Sequence, residues 1–200
     1  MDRIVNSNKQ ANKPLLSVLM PVFNAEAYVG EAVESILAQS FPDFEFIIID
    51  DGSTDGSLPI LKQYAARDTR IRLISRENRG LVATLNEGIA LARGKWIARM
   101  DADDVAMSNR FELQLAALKR EKADFCGGAA ECFGAWRALW SYPLTHEACE
   151  VRLLFHVPFS HPTVIGGSVP SSGVNSFRSS PALLSVRLPR RLTIPCYPPA

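Results

Sequence analysis

The sequence predicts an α/β domain built on a mainly parallel sheet, and three observations carry that prediction. Short apolar runs alternate with amphipathic stretches from Leu15 to Glu121, most of the runs end in a polar turn, and two acidic clusters directly follow apolar runs. Parallel strands need crossovers, and right-handed crossovers place helices on both faces of the sheet. Function in such sheets gathers at the strand C-termini.

The elements follow in order. Leu15 to Val22, closed by Pro21, is a short apolar run of the kind a buried parallel strand needs. In Glu26 to Gln39, Ala27, Val29, Ala32, Val33, Ile36 and Leu37 recur at spacings of three and four, with Glu26, Glu31 and Glu34 outward, which is a helix. Phe44 to Ile49 is a second strand that stops at Asp50-Asp51-Gly52-Ser53-Thr54-Asp55. A helix at Ser57 to Ala66, a strand at Ile71 to Ser75, a helix at Leu81 to Ala92 and a strand at Lys95 to Met100 repeat the pattern. The last strand closes on Asp101-Ala102-Asp103-Asp104. A helix over Arg110 to Glu121, with Phe111, Leu115 and Leu118 as its core face, leads to a strand at Asp124 to Gly128. An aromatic-containing segment, Phe133 to Tyr142, and a short amphipathic helix, Glu147 to His156, come next.

Composition bounds the class. The 200 residues are 47% hydrophobic with a net charge of +1, which fits one soluble domain with or without an appendage and excludes collagen, coiled coil and an acidic disordered tail. No run approaches the roughly 18 apolar residues of a membrane helix. The polar stretch Met1 to Pro14 lacks an apolar signal core, so the chain reads as cytoplasmic with a flexible N-terminal segment. Cys126, Cys132, Cys149 and Cys196 show neither C-x-x-C nor zinc spacing, so reduced thiols are expected. Residues 151–200 carry five Arg, no Lys and no acidic residue, and hold eight of the 13 prolines. After about Ile165 the composition changes to a Ser/Pro/Arg-rich tail, read as disordered or loosely packed.

Both acidic clusters would meet in one crevice. Asp101 and Asp103, two apart on an extended strand end, project to one side, with Asp104 beginning the next turn. Such hard oxygen ligands suit Mg²⁺ or Mn²⁺ bridging a diphosphate. Acidic residues also cap helices, but crowding three in four positions costs energy unless a cation relieves it. Asp50 to Asp55 reads equally as turn material or as an acceptor for a base or ribose. No G-x-G-x-x-G or Walker A motif occurs, which argues against a nicotinamide enzyme or a P-loop NTPase. Trp96 reads as packing. Trp136, Trp140 and Tyr142 fit a sugar platform or packing equally well, and His161 fits an acceptor contact or a loop residue.

From Leu15 to Val164 the chain resembles the family 2 glycosyltransferases of the GT-A fold. The resemblance rests on P-V-F-N at Pro21 to Asn24, D-D-G-S-T-D at Asp50 to Asp55, N-R-G-L at Asn78 to Leu81, N-E-G-I at Asn86 to Ile89, and M-D-A-D-D at Met100 to Asp104. Pro158 to Thr163 resembles the acceptor-side segment of the bacterial members. The resemblance implies inverting transfer of a sugar from a nucleotide diphosphate donor, commonly UDP-linked, to an acceptor hydroxyl in cell-envelope or exopolysaccharide assembly. It implies that Pro21, Val22, Phe23, Asn24 and Glu26 line the nucleoside pocket, that Asp51 contacts the base, and that Arg79 approaches the nucleotide or sugar. Asp101 with Ala102 would meet ribose or sugar hydroxyls, and Asp103, with Asp101 and Asp104, would hold Mg²⁺ or Mn²⁺ on the diphosphate. Arg99 either assists the cluster or balances its charge.

Inversion needs a general base for the acceptor hydroxyl, and in the resembling family it lies in an acidic stretch after the H-P-T segment. Here nothing acidic follows Glu150. The expectation is therefore a donor-binding half, residues 15–164, followed by a tail that departs from the family as a truncated or frame-shifted product would. Asp104, Glu131 and Glu150 are the substitute bases the sequence offers, with Asp104 the first candidate. A non-catalytic nucleotide-sugar-binding remnant is the alternative. A nucleotidyltransferase would need a glycine-rich basic first loop, which Pro21 to Glu26 is not. The tail lacks the Lys and interleaved aromatics of a nucleic-acid binder. Its Arg187, Arg190 and Arg191 suit at most loose peripheral attraction to anionic lipid headgroups.

Overall fold

A computed structural model describes residues 13–132, 138–140, 160–167 and 193–196. Among the described residues fourteen elements follow one another: β1 (Leu16–Val22), α1 (Val29–Leu37), β2 (Phe44–Asp50), α2 (Ser57–Arg67), β3 (Ile71–Ser75), α3 (Leu81–Leu91), β4 (Trp96–Arg99), α4 (Arg110–Glu121), β5 (Phe125–Cys126), β6 (Ala129–Cys132), β7 (Ala138–Trp140), a 3₁₀ turn (His161–Thr163), β8 (Ile165–Gly167) and β9 (Thr193–Cys196). The main sheet runs β3-β2-β1-β4-β8-β5. Strands β1 to β4 are mutually parallel, and β8 lies antiparallel between β4 and β5. The expected mixed α/β fold with a mostly parallel sheet is therefore present. A second, smaller sheet has the order β7-β6-β9.

This order explains where the helices lie. The chain moves one way from β1 to β3 and then returns past β1 to make β4, so right-handed connections put α1 and α2 on one face and α3 on the other. The sequence alternation matches this division. Leu16, Val18, Met20, Phe46 and Ile48 join Val33, Ile36, Leu61, Phe111 and Leu118 in the larger core, which packs α1, α2 and α4 on the sheet. Leu19, Ile47 and Ile49 point the other way and meet Leu85 and Ile89 of α3. Gly88 lets α3 lie close on the sheet, because a Cβ there would stand 2.1 Å from the Leu19 Cδ1. The N-E-G-I motif is thus partly a packing device.

Several boundaries differ from those the sequence predicts, and the strand expected over Asp124 to Gly128 is the short β5 with a separate strand, β6, after it. Helix α1 starts at Val29 rather than Glu26, after a turn over residues 26–28 in which the Tyr28 and Val29 amides both donate to the Ala25 carbonyl, while the Ala25 and Glu26 amides donate to Ser57 Oγ and the Asp55 carboxylate. Strand β4 ends at Arg99, and a turn over residues 102–103 brings the Asp104 N–H to the Asp101 carbonyl at 3.4 Å. Ile165–Gly167, expected to open the tail, form a strand paired with both β4 and β5, with Ile165 fully buried, so the ordered sheet extends past residue 164. The expected helix Glu147 to His156, and Trp136, Tyr142, Cys149 and Glu150, lie outside the described residues.

Candidate functional site

The C-termini of β1, β2, β3 and β4 share one edge of the sheet, and the strand order reverses between β1 and β4. A crevice at such a reversal is the usual binding place in a parallel α/β sheet. Pro21 sits there for a physical reason. Leu15 and Leu19 accept amides from β4 and the residue after it, whereas Val22 accepts from Asp51 on the β2 side. Pro21 therefore turns its donorless nitrogen to the β4 side, beyond Arg99 where the ladder has ended. A proline in a central strand costs no ladder bond at that point. Phe23, 52% exposed, follows immediately, and Asn24 adopts a left-handed φ of 50°.

Side chains zip the loop after β1 to the loop after β2. Asn24 Oδ1 accepts the Thr54 amide at 2.8 Å, and the Asn24 amide donates to Ser53 Oγ at 3.0 Å. Glu26 accepts the Gly56 amide at 2.9 Å and donates its own to Asp55 at 3.0 Å. Asn24 and Glu26, expected in the nucleoside pocket, are thus the residues that hold these two loops together. Asp50, fully inside, caps its own strand by accepting from Ser53 and from the Ser75 hydroxyl.

Asp51 is buried, and its carboxylate accepts the amides of Arg79 at 2.8 Å and Gly80 at 2.9 Å together with the Arg76 guanidinium. Burial opposes its charge, but the Arg79 amide, Arg76 and the Gly80 amide outweigh it and hold its pKa below the ordinary range. Arg76, absent from the sequence reading, also pairs with Glu87 at 2.7 Å and donates to Thr84 Oγ1 at 2.8 Å. This network folds the N-R-G loop over the end of β2 and leaves the Arg79 side chain exposed. Gly52 makes the close approach possible: a Cβ would lie 2.7 Å from the Asn78 nitrogen, at a φ of 77°.

Across the crevice stands the second acidic cluster. The turn at 102–103 removes the extended geometry on which one-sided projection of Asp101 and Asp103 was expected. Instead Arg99 and Asp101 meet, with Arg99 Nη2 2.9 Å and Nε 3.1 Å from Asp101 Oδ1. Burial pushes the Asp101 pKa up, Arg99 opposes this, and repulsion from Asp103 adds to it. Asp103 is exposed and takes no ion pair or hydrogen bond among the described residues. Ala102 and Asp104 are buried, and Asp104 neighbours the charge of Arg110. His161 of the H-P-T segment lies within electrostatic reach of both Asp101 and Arg99, so the expected acceptor-side segment borders the acidic loop. Burial, then Arg99, lowers its pKa while Asp101 raises it. Trp96 packs on the core, as expected, and Trp140 is exposed on β7.

Among the described residues no three His, Cys, Asp or Glu side chains gather closely enough to hold an ion unaided. Asp103 is exposed and close enough to act on the charge of Asp101, and an exposed carboxylate is the donor type that shares Mg²⁺ or Mn²⁺ with phosphate oxygens. No helix among the described residues is long and apolar enough to cross a membrane.

The sequence profile of Glycosyl transferase family 2 matches residues 17–172, well over half of the chain. The chain belongs to glycosyl transferase family 2. An uncharacterized glycosyltransferase of Haemophilus influenzae is 36% identical over 168 residues, which cover 77% of this chain and 52% of that protein. The putative teichuronic acid biosynthesis glycosyltransferase TuaG of Bacillus subtilis is 40% identical over 114 residues, or 56% of this chain and 45% of TuaG. The chain spans about half the length of these curated relatives. The crystal structure of S. aureus TarS 1-349 in complex with UDP-GlcNAc aligns with a TM-score of 0.64 over 76% of this chain and 45% of TarS 1-349, at 23% identity. That likeness establishes the GT-A fold.

Proposed function

We propose that this chain carries the donor side of a family 2 glycosyltransferase, binding a UDP-linked sugar at the β1/β4 crevice for inverting transfer to an acceptor hydroxyl. The single observation that carries the reading is the convergence of the P-V-F-N, D-D-G-S-T-D and M-D-A-D-D segments on one sheet edge at the strand-order reversal. Phe23 offers an exposed ring to a base, and the loop after β2, held by Asn24 and Glu26, walls the nucleoside end. Asp51 shapes the base side through the N-R-G loop, and the exposed Arg79 reaches toward nucleotide or sugar. Asp101 faces ribose or sugar hydroxyls beside Ala102.

Asp103, with Asp101 beside it, would hold Mg²⁺ or Mn²⁺, which when bound neutralises charge developing on the diphosphate leaving group. The residues themselves orient the donor: Arg99 fixes Asp101, and the turn at 102–103 exposes Asp103. The name of TuaG supports placing the reaction in envelope or exopolysaccharide assembly, with a sugar or lipid-linked acceptor. UDP is favoured as the carrier by the ligand in the TarS complex.

Isothermal titration with UDP-GlcNAc, UDP and GDP, each with and without Mn²⁺, tests this reading. Saturable UDP binding that strengthens with Mn²⁺ is expected. Equal, metal-independent heats for UDP and GDP, or none at all, would contradict it.

A further inference from the structure

Helix α4 carries a charge where the sequence pattern gives no reason for one. Arg110 is 1% exposed and is among the largest fully buried side chains of the chain. Burial pulls its pKa down to about 10, with Asp104 first among the groups that hold it up, so it stays a cation at neutral pH. A buried guanidinium survives only with partners, and those of Arg110 are directional. Its Nη2 donates to the Arg99 carbonyl at 2.8 Å, its Nε donates to Gln114 Oε1 at 3.0 Å, and its Nη1 lies 3.7 Å from Met100 Sδ. Asp104, itself 4% exposed, and Asp101 both act on its charge. Gln114, one turn along the helix, donates to the Thr163 carbonyl at 2.7 Å. One pair on α4 thus holds the end of β4, the acidic loop that follows it, and the H-P-T segment.

We propose that Arg110 is a positioning residue for the donor site and that Asp104 is its counter-charge rather than a metal ligand or general base. The cluster crowds three carboxylates into four positions, and the fold supplies two resident cations against them: Arg99 on Asp101 from the crevice side, and Arg110 near Asp104 from inside the core. Asp103 is left as the exposed carboxylate of the three without an ion pair among the described residues. The guanidinium fork, bonded to the last carbonyl of β4, sets where the turn at 102–103 begins and therefore where Asp103 stands. This assignment rests on the donor-site reading above and specifies which residues maintain it.

The test is Mn²⁺ binding by electron paramagnetic resonance at 10 °C with and without UDP, on the full chain and its Asp103→Asn, Arg110→Lys, Arg110→Met and Asp104→Asn variants. Circular dichroism establishes the folded fraction of each. Asp103→Asn should abolish the UDP-dependent Mn²⁺ signal. Folded Arg110→Met should lose affinity by about tenfold or more, the scale of one charge-assisted hydrogen bond. Arg110→Lys keeps the charge but not the fork, and should recover only part of that loss. Asp104→Asn should weaken binding by less than Asp103→Asn, and combining it with Arg110→Met should add little to Arg110→Met alone. Wild-type affinity in folded Arg110→Lys and Arg110→Met would overturn the proposal. If the methionine variant does not fold, the lysine variant decides by the same criterion, and if neither folds, Asp104→Asn decides: a loss as complete as that of Asp103→Asn would make Asp104 a metal ligand. Absence of UDP-dependent Mn²⁺ binding in the wild type would instead remove the donor-site reading, and this assignment with it.

Discussion

The Asp51 carboxylate receives the Gly80 amide at 2.9 Å, across 29 residues of chain, and so ties the end of β2 to the start of α3. With the Arg79 amide and Arg76 on the same carboxylate, one side chain determines the shape of the N-R-G loop. Asp51→Asn removes the charge and leaves Arg76 paired with Glu87 alone. Breaking one partner of a buried ion pair costs about 3 kcal/mol. Urea unfolding should report a loss of that order, and a loss below about 1 kcal/mol would mean that the loop is held by other contacts.

Acid should destabilise the domain in a defined window. Glu45 is buried, and burial opposes its charge, but Ser17, Arg72 and Arg93 outweigh it and lower its pKa from the ordinary 4.5. The Asp51 pKa is likewise lowered from 3.8. A lowered folded pKa contributes stability that is fully present above the unfolded value and is lost as pH falls through the folded one. Stability measured by denaturant titration should therefore be flat in these two groups near neutrality and fall below about pH 4.5. Glu45→Gln should flatten the upper part of that fall, and an unchanged profile would show that Glu45 does not contribute.

Gly88→Ala tests the seat of α3. The new methyl would meet Leu19, which is itself buried, and overpacking of this kind costs about 1–3 kcal/mol. Better helix propensity returns at most about 1 kcal/mol. A net fall in melting temperature is expected, and Leu19→Ala should lower the cost of Gly88→Ala when the two are combined. A stabilised Gly88→Ala single variant would contradict the close packing.

Much of this was legible in the sequence because apolar periodicity and strand-end acids are local signals. β1 to β4 and α4 fall within a residue or two of the boundaries that alternation predicts, and both acidic clusters follow their strands. What escaped depends on partners distant in sequence. Glu26 and Ala27 look helical by spacing, yet they lie in a turn tied by Glu26 to Asp55 and Gly56, 29 and 30 residues away. Ile165–Gly167 look like the start of a tail because their neighbours beyond are Ser- and Pro-rich, yet β4 and β5 leave a slot that they fill. Arg110 and Gln114 escape an apolar pattern because they are polar residues on the buried side of α4. Their i, i+4 spacing, continued by the buried Ala117, puts them beside the Phe111 and Leu118 stripe, and that inward position was the available signal. Arg76 gave no local cue, since its partners Asp51 and Glu87 lie on other elements.

The most direct measurement is the melting temperature with UDP alone, Mn²⁺ alone and both, on the chain and on Asp103→Asn. A ligand at about 100 times its Kd adds about 2.7 kcal/mol, and at roughly 2–4 °C for each kcal/mol in a domain of this size that raises the melting temperature by about 5–11 °C. The account predicts an upward shift of several degrees that requires UDP and Mn²⁺ together and disappears in Asp103→Asn. An equal shift in Asp103→Asn, or no shift with both ligands present, would contradict a metal-assisted donor site at the β1/β4 crevice.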